Sequence, residues 1–480
     1  MRPKHSADPA RPLSRRSLLG SVTGTAAGAV LLSAAPALAA GPAVPLSPDA
    51  DVAAQVLEEY LHGWRGYCDR AWGYDEVLPV SGGHHDFFAP GHSFGLSIVE
   101  ALDTLFLLGQ DQEVTRCCDW IDANLDPAQD VYTHVFEAVI RIVGGLLAGF
   151  EATGRSSLLA RAREFADRLL PAFTKSPTGV PYTLVNLRTG AVQGSAVPLA
   201  EAGTNVMEFG LLSRLTGDSR YYDASIRAYR AVLDRRSSIG LLAGSIDAES
   251  GRWLDSDCGT PNPPADSFNE YLWGGWALLG DRQLLDWYRT LTALTLHHQS
   301  VEASGRLWFR TVDFRTGEPS GPQEQSELAS FYAGLLAKGG DLQQAAAYYR
   351  SWTDALDAYP VLPETLDFAT LRAVERGNQL RPEYPNSSFD LWRATGDDYY
   401  RQTGYRWFTA MRDNQRVPGG YTVAGDVTER GMRLGDLTPA YWFAENLKYL
   451  WLMFSDTPRF DYANGLLSTE GKVLRGLRRI

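Results

Sequence analysis

The sequence predicts an all-α fold built from helical hairpins, and three observations support this prediction. From about residue 47 onwards, the apolar residues follow a mostly helical pattern. A phrase made of an apolar run, a glycine, a polar residue and a new amphipathic run recurs, with its glycines at positions 154, 217, 280, 340 and 396. Segments that resemble β-strands are few and short. Helical hairpins in series must bury their apolar faces on neighbours, which either an open superhelix or a closed toroid would achieve.

The ends of the predicted helices follow from local signals. The first helix is predicted to start at Ser47 and Pro48, a typical helix-start pair. In each repeat the glycine is expected to cap one helix, and the Asp, Arg or Ser that follows begins the next. Three β-like segments, "PYTLVNL", "SGRWLDS" and "GRLWFRTVDF", would form loops and small hairpins at one rim of a toroid. No Pro/Ser/Gly-rich linker divides residues 41–480, which are predicted to form a single domain.

The N-terminal segment, residues 1–40, is predicted to be a twin-arginine signal peptide. The motif "SRRSLLG" spans Ser14–Gly20 and precedes a weakly apolar stretch that ends in small residues at Ala40. This stretch is too rich in Gly and Ala for a good permanent anchor. We therefore expect cleavage after Ala40 and export of the folded protein to a secreted, extracytoplasmic location without membrane attachment.

Composition limits the classes of partner. The chain has 480 residues and a formal net charge of -12, which argues against nucleic acid or an anionic membrane as a partner. Aromatic residues make up 11% of the chain, including 13 Trp. This richness is typical of sugar-binding proteins, whose aromatic faces stack on pyranose rings, and equally of a large aromatic core. A monomer that binds a neutral or cationic ligand is expected.

Signals for disulfides and for histidine-based metal sites are weak. The four cysteines are Cys68, Cys117, Cys118 and Cys258, and no CxxC spacing is present. The adjacent pair cannot easily bond to each other, so one long-range disulfide or buried thiols remain the alternatives. The histidine cluster "GGHHDFF" is interpreted as a polar loop, with a metal site as the alternative.

Carboxylates in apolar surroundings are the main chemical signal. In "HVFEAVIRIVGGLLAGF", Glu137 interrupts an apolar run, and Arg141 lies one helical turn later on the same face. A structural ion pair and a catalytic carboxylic acid are both consistent with this pattern. Apolar neighbours would raise the pKa of Glu137, whereas Arg141 would favour its anion.

Two further motifs contain carboxylates at the starts of helices. In "PPADSFNEYLWGGW", Asp266 and Glu270 lie four residues apart, where a like-charge pair is unfavourable unless hydroxyls, a cation or a proton is shared. In "LRPE", Glu383 begins a helix, where the helix dipole favours an anion suited to act as a base. An ordinary first-turn residue is the alternative there. Carboxyl groups in differing environments around one cavity are what glycoside hydrolysis requires.

Nine ordered motifs resemble those of a known family. They are "GYCDRAWGYDEVLPVS", "HSFGLSIVEALDTLFLLG", "HVFEAVIRIVGGLLAGFEATG", "GVPYTLVNLRTG", "EFGLLSRLTGD", "ADSFNEYL", "LRPE", "WFAENLKYLWLMFSD" and "LSTEGKVLR". Over nearly the whole mature chain, the sequence resembles glycoside hydrolase family 47, which comprises class I α-mannosidases and ER degradation-enhancing mannosidase-like proteins. The resemblance implies an (α/α)7 barrel. It also implies an inverting, calcium-dependent exo-α-mannosidase that removes terminal α-linked mannose from glycans, with α-1,2 as the first linkage expected.

The resemblance also implies roles for individual residues. Glu137 would be the general acid, directly or through a water, Asp266 the second acidic residue at the cleavage point, and Glu383 the base. Thr469 of "LSTEGK" would bind Ca²⁺ through its hydroxyl and carbonyl, with waters and sugar hydroxyls completing the oxygen shell. The predicted substrate-binding residues are Arg141, Glu201, Glu270, Arg381, Tyr441 and Glu445.

The chain departs from the family pattern around the implied pocket. Asn386 and Pro439 stand where acidic residues are expected, Pro264 replaces an Arg, and Glu327 replaces a His. These departures leave the linkage open.

Two other functions remain as alternatives. One is a weak or inactive, lectin-like mannose binder, and the other is an exo-glycosidase of different linkage or sugar preference. The intact acidic triad favours an enzyme, because binding alone does not require all three carboxyl groups.

Overall fold

The computed structural model describes residues 49–429 and 431–478, so the predicted signal peptide lies outside the described residues. Helices dominate the described chain. They are α1 (Ala50–Arg70), α2 (Leu96–Leu107), α3 (Asp111–Asn124), α4 (Val135–Glu137), α5 (Gly144–Thr153), α6 (Ser156–Thr174), α7 (Leu199–Gly203), α8 (Val206–Thr216), α9 (Arg220–Leu233), α10 (Asp266–Leu279), α11 (Arg282–His298), α12 (Tyr332–Lys338), α13 (Leu342–Ala358), α14 (Glu383–Thr395), α15 (Asp398–Gln415) and α16 (Leu447–Phe454).

Three short segments of π-helix or 3₁₀-helix directly precede three of these α-helices. A π-helical segment, Ala138–Val143, joins α4 to α5, and a second, Trp442–Asn446, precedes α16. A 3₁₀ segment, Glu327–Phe331, precedes α12. π-helical turns are rare overall but occur frequently at functional sites. The two π segments therefore mark places where the directions of successive side chains change within a helix.

Helices of two kinds alternate along the chain and form a closed ring. The inner helices α2, α5, α8, α10, α12, α14 and α16 alternate with the outer helices α1, α3, α6, α9, α11, α13 and α15, and each inner helix packs against an outer one. The inner helices contact one another in order, with Lys338 of α12 reaching Glu270 of α10, and the π segment before α16 contacts α2. This arrangement confirms the predicted all-α toroid of seven hairpins.

The inner helices are buried on nearly every face because they are surrounded by protein. Every residue of α2, from Leu96 to Leu107, is buried. A helix that is hydrophobic all round belongs in a core rather than at a surface. The helices predicted from the sequence therefore form two layers, an inner one and an outer one.

The recurring glycines end helices as the sequence predicts. Gly154, Gly217, Gly280, Gly340 and Gly396 have φ values of 72°, 72°, 81°, 95° and 73°. This left-handed conformation strains other L-residues, so glycine is the residue that allows the chain to turn directly from an inner into an outer helix.

An N-cap supports the start of α15. The side chain of Asp397, an exposed residue, accepts a hydrogen bond from the backbone N–H of Tyr399 at 2.9 Å. We expect Asp397→Ala to lower the free energy of unfolding by about 1 kcal/mol, because an N–H at the helix start loses its acceptor. Urea unfolding would measure the loss. Glu58→Ala, an exposed change within α1, is the control and should alter stability by less than about 0.5 kcal/mol. An equal effect of both variants would contradict the capping role.

The strands are short and form two- or three-stranded antiparallel sheets. They are β1 (Glu76–Leu78), β2 (Gly83–His85), β3 (Tyr132–His134), β4 (Leu184–Asn186), β5 (Val192–Gln193), β6 (Ala196–Pro198), β7 (Ser245–Asp247), β8 (Asp257–Cys258), β9 (Ser300–Ala303), β10 (Arg306–Phe309), β11 (Val312–Asp313), β12 (Glu324–Ser326), β13 (Thr365–Asp367), β14 (Ala373–Glu375), β15 (Arg416–Val417), β16 (Gly420–Tyr421), β17 (Ala424–Asp426), β18 (Arg433–Leu434), β19 (Leu466–Leu467) and β20 (Val473–Arg475).

Strands β1 to β18 all lie in connections that run from an outer helix to the next inner helix. They therefore gather at the end of the ring where the inner helices begin, as predicted for one rim. Of the three predicted β-like segments, "SGRWLDS" contains only an isolated bridge, between Trp253 and Ile246. The segment is too short and too polar to pair further.

The C-terminal hairpin β19–β20 follows the last inner helix and enters the ring. In its turn, Thr469 contacts Glu270 of α10, Glu470 contacts Arg141 of the first π segment, and Lys472 contacts Glu100 of α2. Contacts with three different inner helices place this turn at the centre of the ring.

The structure describes all four cysteines and the histidine cluster. All four cysteines are free thiols, three of them buried. The "GGHHDFF" segment contains β2, in which His85 pairs with Glu76 at 2.8 Å and His84 stacks on Tyr74. Among the residues described, no helix has the length and apolarity needed to cross a membrane.

Candidate active site

A cavity of about 180 Å³ opens at the starts of the inner helices. Its size is below the roughly 300 Å³ at the lower end for drug-sized ligands, so it is suited to one sugar ring. The lining residues are Phe136, Glu137, Arg141, Asp266, Ser267, Glu270, Leu328, Phe331, Arg381, Pro382, Glu383, Asn386, Tyr441, Glu445, Thr469 and Glu470. All three predicted catalytic residues, Thr469 and all predicted substrate-binding residues except Glu201 are among them.

Helix starts bring the three predicted catalytic carboxyl groups together. Glu137 closes the short helix α4, Asp266 is the first residue of α10, and Glu383 is the first residue of α14. These helices belong to three different hairpins and point their N-terminal ends towards the cavity. The positive ends of the helix dipoles favour negative charge there, which partly offsets the crowding of carboxylates.

Arg141 organises one side of the cavity. Its Nε donates to Oε2 of Glu137 at 2.6 Å, and its Nη1 donates to Glu470 at 2.5 Å and to Glu100 at 3.3 Å. Arg141 is buried, and its carboxylate neighbours hold its pKa far above the usual range despite the opposing effect of burial. The Glu137–Arg141 pair is therefore part of a network, and it binds the hairpin turn to the inner helices.

Arg381 and Tyr441 also line the cavity. Arg381 Nε donates to Glu364 at 3.0 Å. The ring of Tyr441 lies 5.8 Å from the guanidinium carbon of Arg381 and 5.5 Å from that of Arg141, and its hydroxyl donates to the carbonyl of Gln379. Two cation–π contacts and one hydrogen bond hold the ring in place.

The like-charge pair Asp266 and Glu270 is compensated from outside its own helix. Lys338 Nζ lies 3.5 Å from Glu270 and 3.1 Å from Asp390, and the hydroxyl of Thr469 also hydrogen-bonds Glu270. A cation and a hydroxyl therefore stabilise Glu270. Asp266 receives one backbone hydrogen bond, from Ser267, at 3.0 Å.

Burial raises the pKa of several cavity carboxyl groups. The pKa of Glu383 rises to about 8 through desolvation, which Arg381 only partly opposes. Desolvation and the charges of Glu270 and Glu137 raise the pKa of Asp266 to about 6. The expectation that the helix dipole makes Glu383 a ready anion is therefore wrong for the protein alone, because loss of hydration outweighs the dipole.

Glu201 lies beside the cavity and not among its lining residues. Glu201 lies in the first turn of α7, and its Oε2 is 3.3 Å from Nε2 of His134. Burial opposes the charged form of His134, but Glu201 and Glu137 together raise the pKa of this imidazole above its usual value. Glu201 therefore pairs with His134, whose charge also responds to Glu137.

Several residues of the site were missed by the sequence analysis. Glu470 directly follows Thr469 in the motif "LSTEGK", so this motif could have identified it as a residue of the site. Glu364 and Lys338 lie in segments without any such signal, and only the packing of neighbouring hairpins brings them to Arg381 and Glu270.

The lining suits an oxygen-preferring cation. Within residues 49–429 and 431–478, no group of three or more His, Cys, Asp or Glu side chains could hold a metal directly. The cavity instead combines the Thr469 hydroxyl with oxygen donors on Glu270, Glu383, Asn386 and Glu445, and Oε2 of Glu383 is buried without a partner. This donor set fits Ca²⁺ held by Thr469 and largely by water.

The family model described as glycosyl hydrolase family 47 matches residues 59–476. The chain is thus a glycoside hydrolase. Because this match covers most of its length, the chain belongs to glycosyl hydrolase family 47, as the nine motifs predicted.

Individual proteins show the same likeness. Mannosyl-oligosaccharide 1,2-alpha-mannosidase IB of Mus musculus is 31% identical over 452 residues, which cover 88% of this chain and 70% of the relative. ER degradation-enhancing alpha-mannosidase-like protein 2 of Mus musculus is 32% identical over 445 residues, covering 88% and 74%. The structure of the alpha-1,2-mannosidase from Trichoderma reesei matches with a TM-score of 0.82 at 24% identity, covering 89% of this chain and 100% of that chain, and so shares the fold.

Proposed function

We propose that the protein is a secreted, inverting, calcium-dependent exo-α-mannosidase that removes terminal α-linked mannose from oligosaccharides or glycans, with α-1,2 as the first linkage to test. The observation that carries the proposal is the convergence of Glu137, Asp266 and Glu383 on one cavity the size of a single sugar ring. A cavity of this size suits an enzyme that acts at chain ends.

The three carboxyl groups would divide the chemistry of hydrolysis. Glu383 acts as the base that takes a proton from the attacking water. Glu137 and Asp266 lie on the acid side, from which a proton reaches the leaving oxygen directly or through a water. Arg141 holds Glu137 in one orientation, while the raised pKa of Asp266, about 6, lets it hold a proton more readily than an exposed Asp.

The remaining lining residues would bind the sugar. Tyr441 lines the cavity and would offer an aromatic surface to a pyranose. Arg381, Glu270 and Glu445 provide polar groups for sugar hydroxyls. When bound at Thr469, Ca²⁺ would supply a positive charge that orients the sugar and favours the ionised form of nearby carboxyl groups.

Export is part of this proposal and rests on the signal in residues 1–40. The motif at Ser14–Gly20 and the small residues before Ala40 support it. Sequencing the N-terminus of the protein recovered from culture medium should locate the cleavage after Ala40.

Mannose release should depend on calcium. The mature chain from residue 41, incubated with α-1,2-, α-1,3- and α-1,6-linked mannobiose, is expected to release mannose from one linkage. A chelator should abolish the release and added calcium should restore it, since the anionic cavity loses its compensating cation. Calcium should also raise the unfolding temperature, because a ligand that binds only the native state stabilises it.

The possible results of this assay distinguish the proposed function from its alternatives. Release that survives chelation would contradict calcium dependence. Binding of mannose without release from any linkage, or from a larger mannose oligosaccharide, would favour the lectin-like alternative.

A further inference from the structure

A lysine on an inner helix is paired with a carboxylate of the cavity. Lys338 is the last residue of α12, and its Nζ lies 3.5 Å from Oε1 of Glu270 and 3.1 Å from Oδ2 of Asp390. The side chains of Lys338, Glu270 and Asp390 are 17%, 7% and 6% exposed. Of the three, Glu270 lines the cavity. A positive charge of the protein itself therefore lies one ion pair away from the cavity.

The packing of two inner helices makes room for this arrangement. Gly334 lies one turn before Lys338 on α12, and its N–H donates to Oγ of Ser387 on α14 at 2.9 Å. A Cβ atom at position 334 would lie only 2.7 Å from Oδ2 of Asp390. The glycine thus allows α14 to bring Asp390 against the ammonium group of Lys338.

Lys338 keeps its charge although it is largely buried. Burial opposes the charged form, but Asp390 and Glu270 outweigh it and raise the pKa of the lysine above its usual value. Buried charges require such pairing. The ring of Trp273, whose centroid lies 5.5 Å from Nζ, adds a cation–π contact. Lys338 is therefore a permanent positive charge at neutral pH.

Glu270 connects this charge with the predicted calcium ligand. The hydroxyl of Thr469 hydrogen-bonds Glu270, so a cation held at Thr469 and the ammonium group of Lys338 would share one carboxylate neighbour. Two cations around one carboxylate repel each other. Negative charge is also reduced on this side of the site, because Asn386 and Pro439 stand where acidic residues are expected.

We propose that Lys338 is an internal cation that stabilises ionised Glu270 in the calcium-free protein and thereby lowers the affinity of the cavity for calcium. Lys338 acts through Glu270, so it is a positioning residue and not a calcium ligand. A unit charge one carboxylate away from a divalent cation changes the affinity by about tenfold, even when the dielectric constant is near that of water. This inference rests on the proposed calcium site at Thr469.

The variant Lys338→Met tests the proposal, because methionine is also an unbranched side chain but has no charge. We expect its Kd for calcium, measured by calorimetric titration of the mature chain with calcium chloride, to be at least about tenfold lower than that of the wild type. Calcium at one fixed concentration should also raise its unfolding temperature by more. A lysine with only a structural role would give the opposite result, since a displaced Glu270 would weaken calcium binding. An unchanged or higher Kd would overturn the inference.

Lys175→Met controls for the loss of one positive charge from the whole protein. Lys175 is exposed and directly follows α6. Its replacement should leave the Kd for calcium unchanged. An equal decrease in both variants would overturn the inference, because net charge alone would then determine the affinity.

Asp390→Asn provides a second background for the test. If Lys338→Met does not fold because Asp390 is left unpaired, the lysine is removed from Asp390→Asn instead. Asp390→Asn alone takes away a negative charge beside Lys338 and should raise the Kd for calcium. Adding Lys338→Met should then lower the Kd by at least about tenfold. Equal Kd values for Asp390→Asn with and without the lysine would overturn the inference, as would a Kd of Asp390→Asn below that of the wild type.

The calcium titration and the mannose assay can fail separately. Calcium binding by Lys338→Met together with undetectable binding by the wild type would support the inference, whereas undetectable binding by both would overturn it. Failure of the wild type to release mannose at saturating calcium would instead count against the proposed function. The comparison of Kd values would still decide the role of Lys338.

Discussion

Replacement of Glu383 by Gln should lower kcat for mannose release by about 10²–10⁴-fold, the usual contribution of a general base. Glutamine has nearly the same shape and retains a polar group at the start of α14, but it cannot accept the proton of the attacking water. Substrate binding should persist, because Arg381, Tyr441 and Glu270 remain in the cavity. Steady-state kinetics and calorimetric titration with the cleaved mannobiose would measure the two quantities separately.

The control for this variant is Glu208→Gln, which removes a buried carboxyl group that does not line the cavity. It should retain kcat. Normal turnover by Glu383→Gln would show that the base is another residue. A loss of binding together with turnover would indicate that Glu383 orients the substrate or the cation and is not primarily the base.

Replacement of Lys472 by Met should destabilise the protein by about 3–5 kcal/mol, as expected when one partner of a buried ion pair is removed. The side chains of Lys472 and Glu100 are both 0% exposed, and Lys472 Nζ contacts the Glu100 carboxylate and donates to its backbone carbonyl at 3.2 Å. Without the ammonium group, Glu100 keeps only the longer bond from Arg141, at 3.3 Å. Urea unfolding at a fixed calcium concentration would measure the loss, since bound calcium also contributes to stability.

Lys175→Met is the matched control, because Lys175 is exposed and donates only to the carbonyl of Gly190. It should change stability by less than about 0.5 kcal/mol. Adding Glu100→Gln to Lys472→Met should recover part of the loss, since no uncompensated charge then remains buried. A Lys472→Met protein as stable as the control would contradict the network.

A second buried lysine holds the same turn. Lys448 Nζ donates to Asp103 at 2.7 Å and to the carbonyl of Gly471 at 2.5 Å. Asp103 in turn accepts from the backbone N–H of Val473 at 2.8 Å. The turn that carries Thr469 is therefore tied to α2 and α16 from both sides, which explains how a hairpin can present a predicted calcium ligand in a fixed position.

Local signals in the sequence were sufficient for the helices and for the candidate catalytic carboxyl groups, whereas residues such as Arg381, Tyr441 and Thr469 were predicted from the family resemblance. Glycines such as Gly154 and Gly396 determine where helices end, because few other residues adopt their backbone conformation. Glu137 stood out because a carboxylate in an apolar run is costly without a purpose, and Asp266 and Glu383 stood out as carboxylates at predicted helix starts. These features depend on residues close in the chain, which is why the sequence alone reveals them.

Only the tertiary structure decided how those carboxyl groups are paired and how readily they ionise. Lys338 reaches Glu270 from the next hairpin, Glu364 reaches Arg381 across 17 residues, and Glu470 reaches Arg141 from the C-terminal turn. The position of Glu383 suggested an anion, whereas its burial raises its pKa to about 8. Desolvation and ion pairing depend on every group that surrounds a side chain in space, and closure of the ring assembles those groups from segments far apart in the sequence.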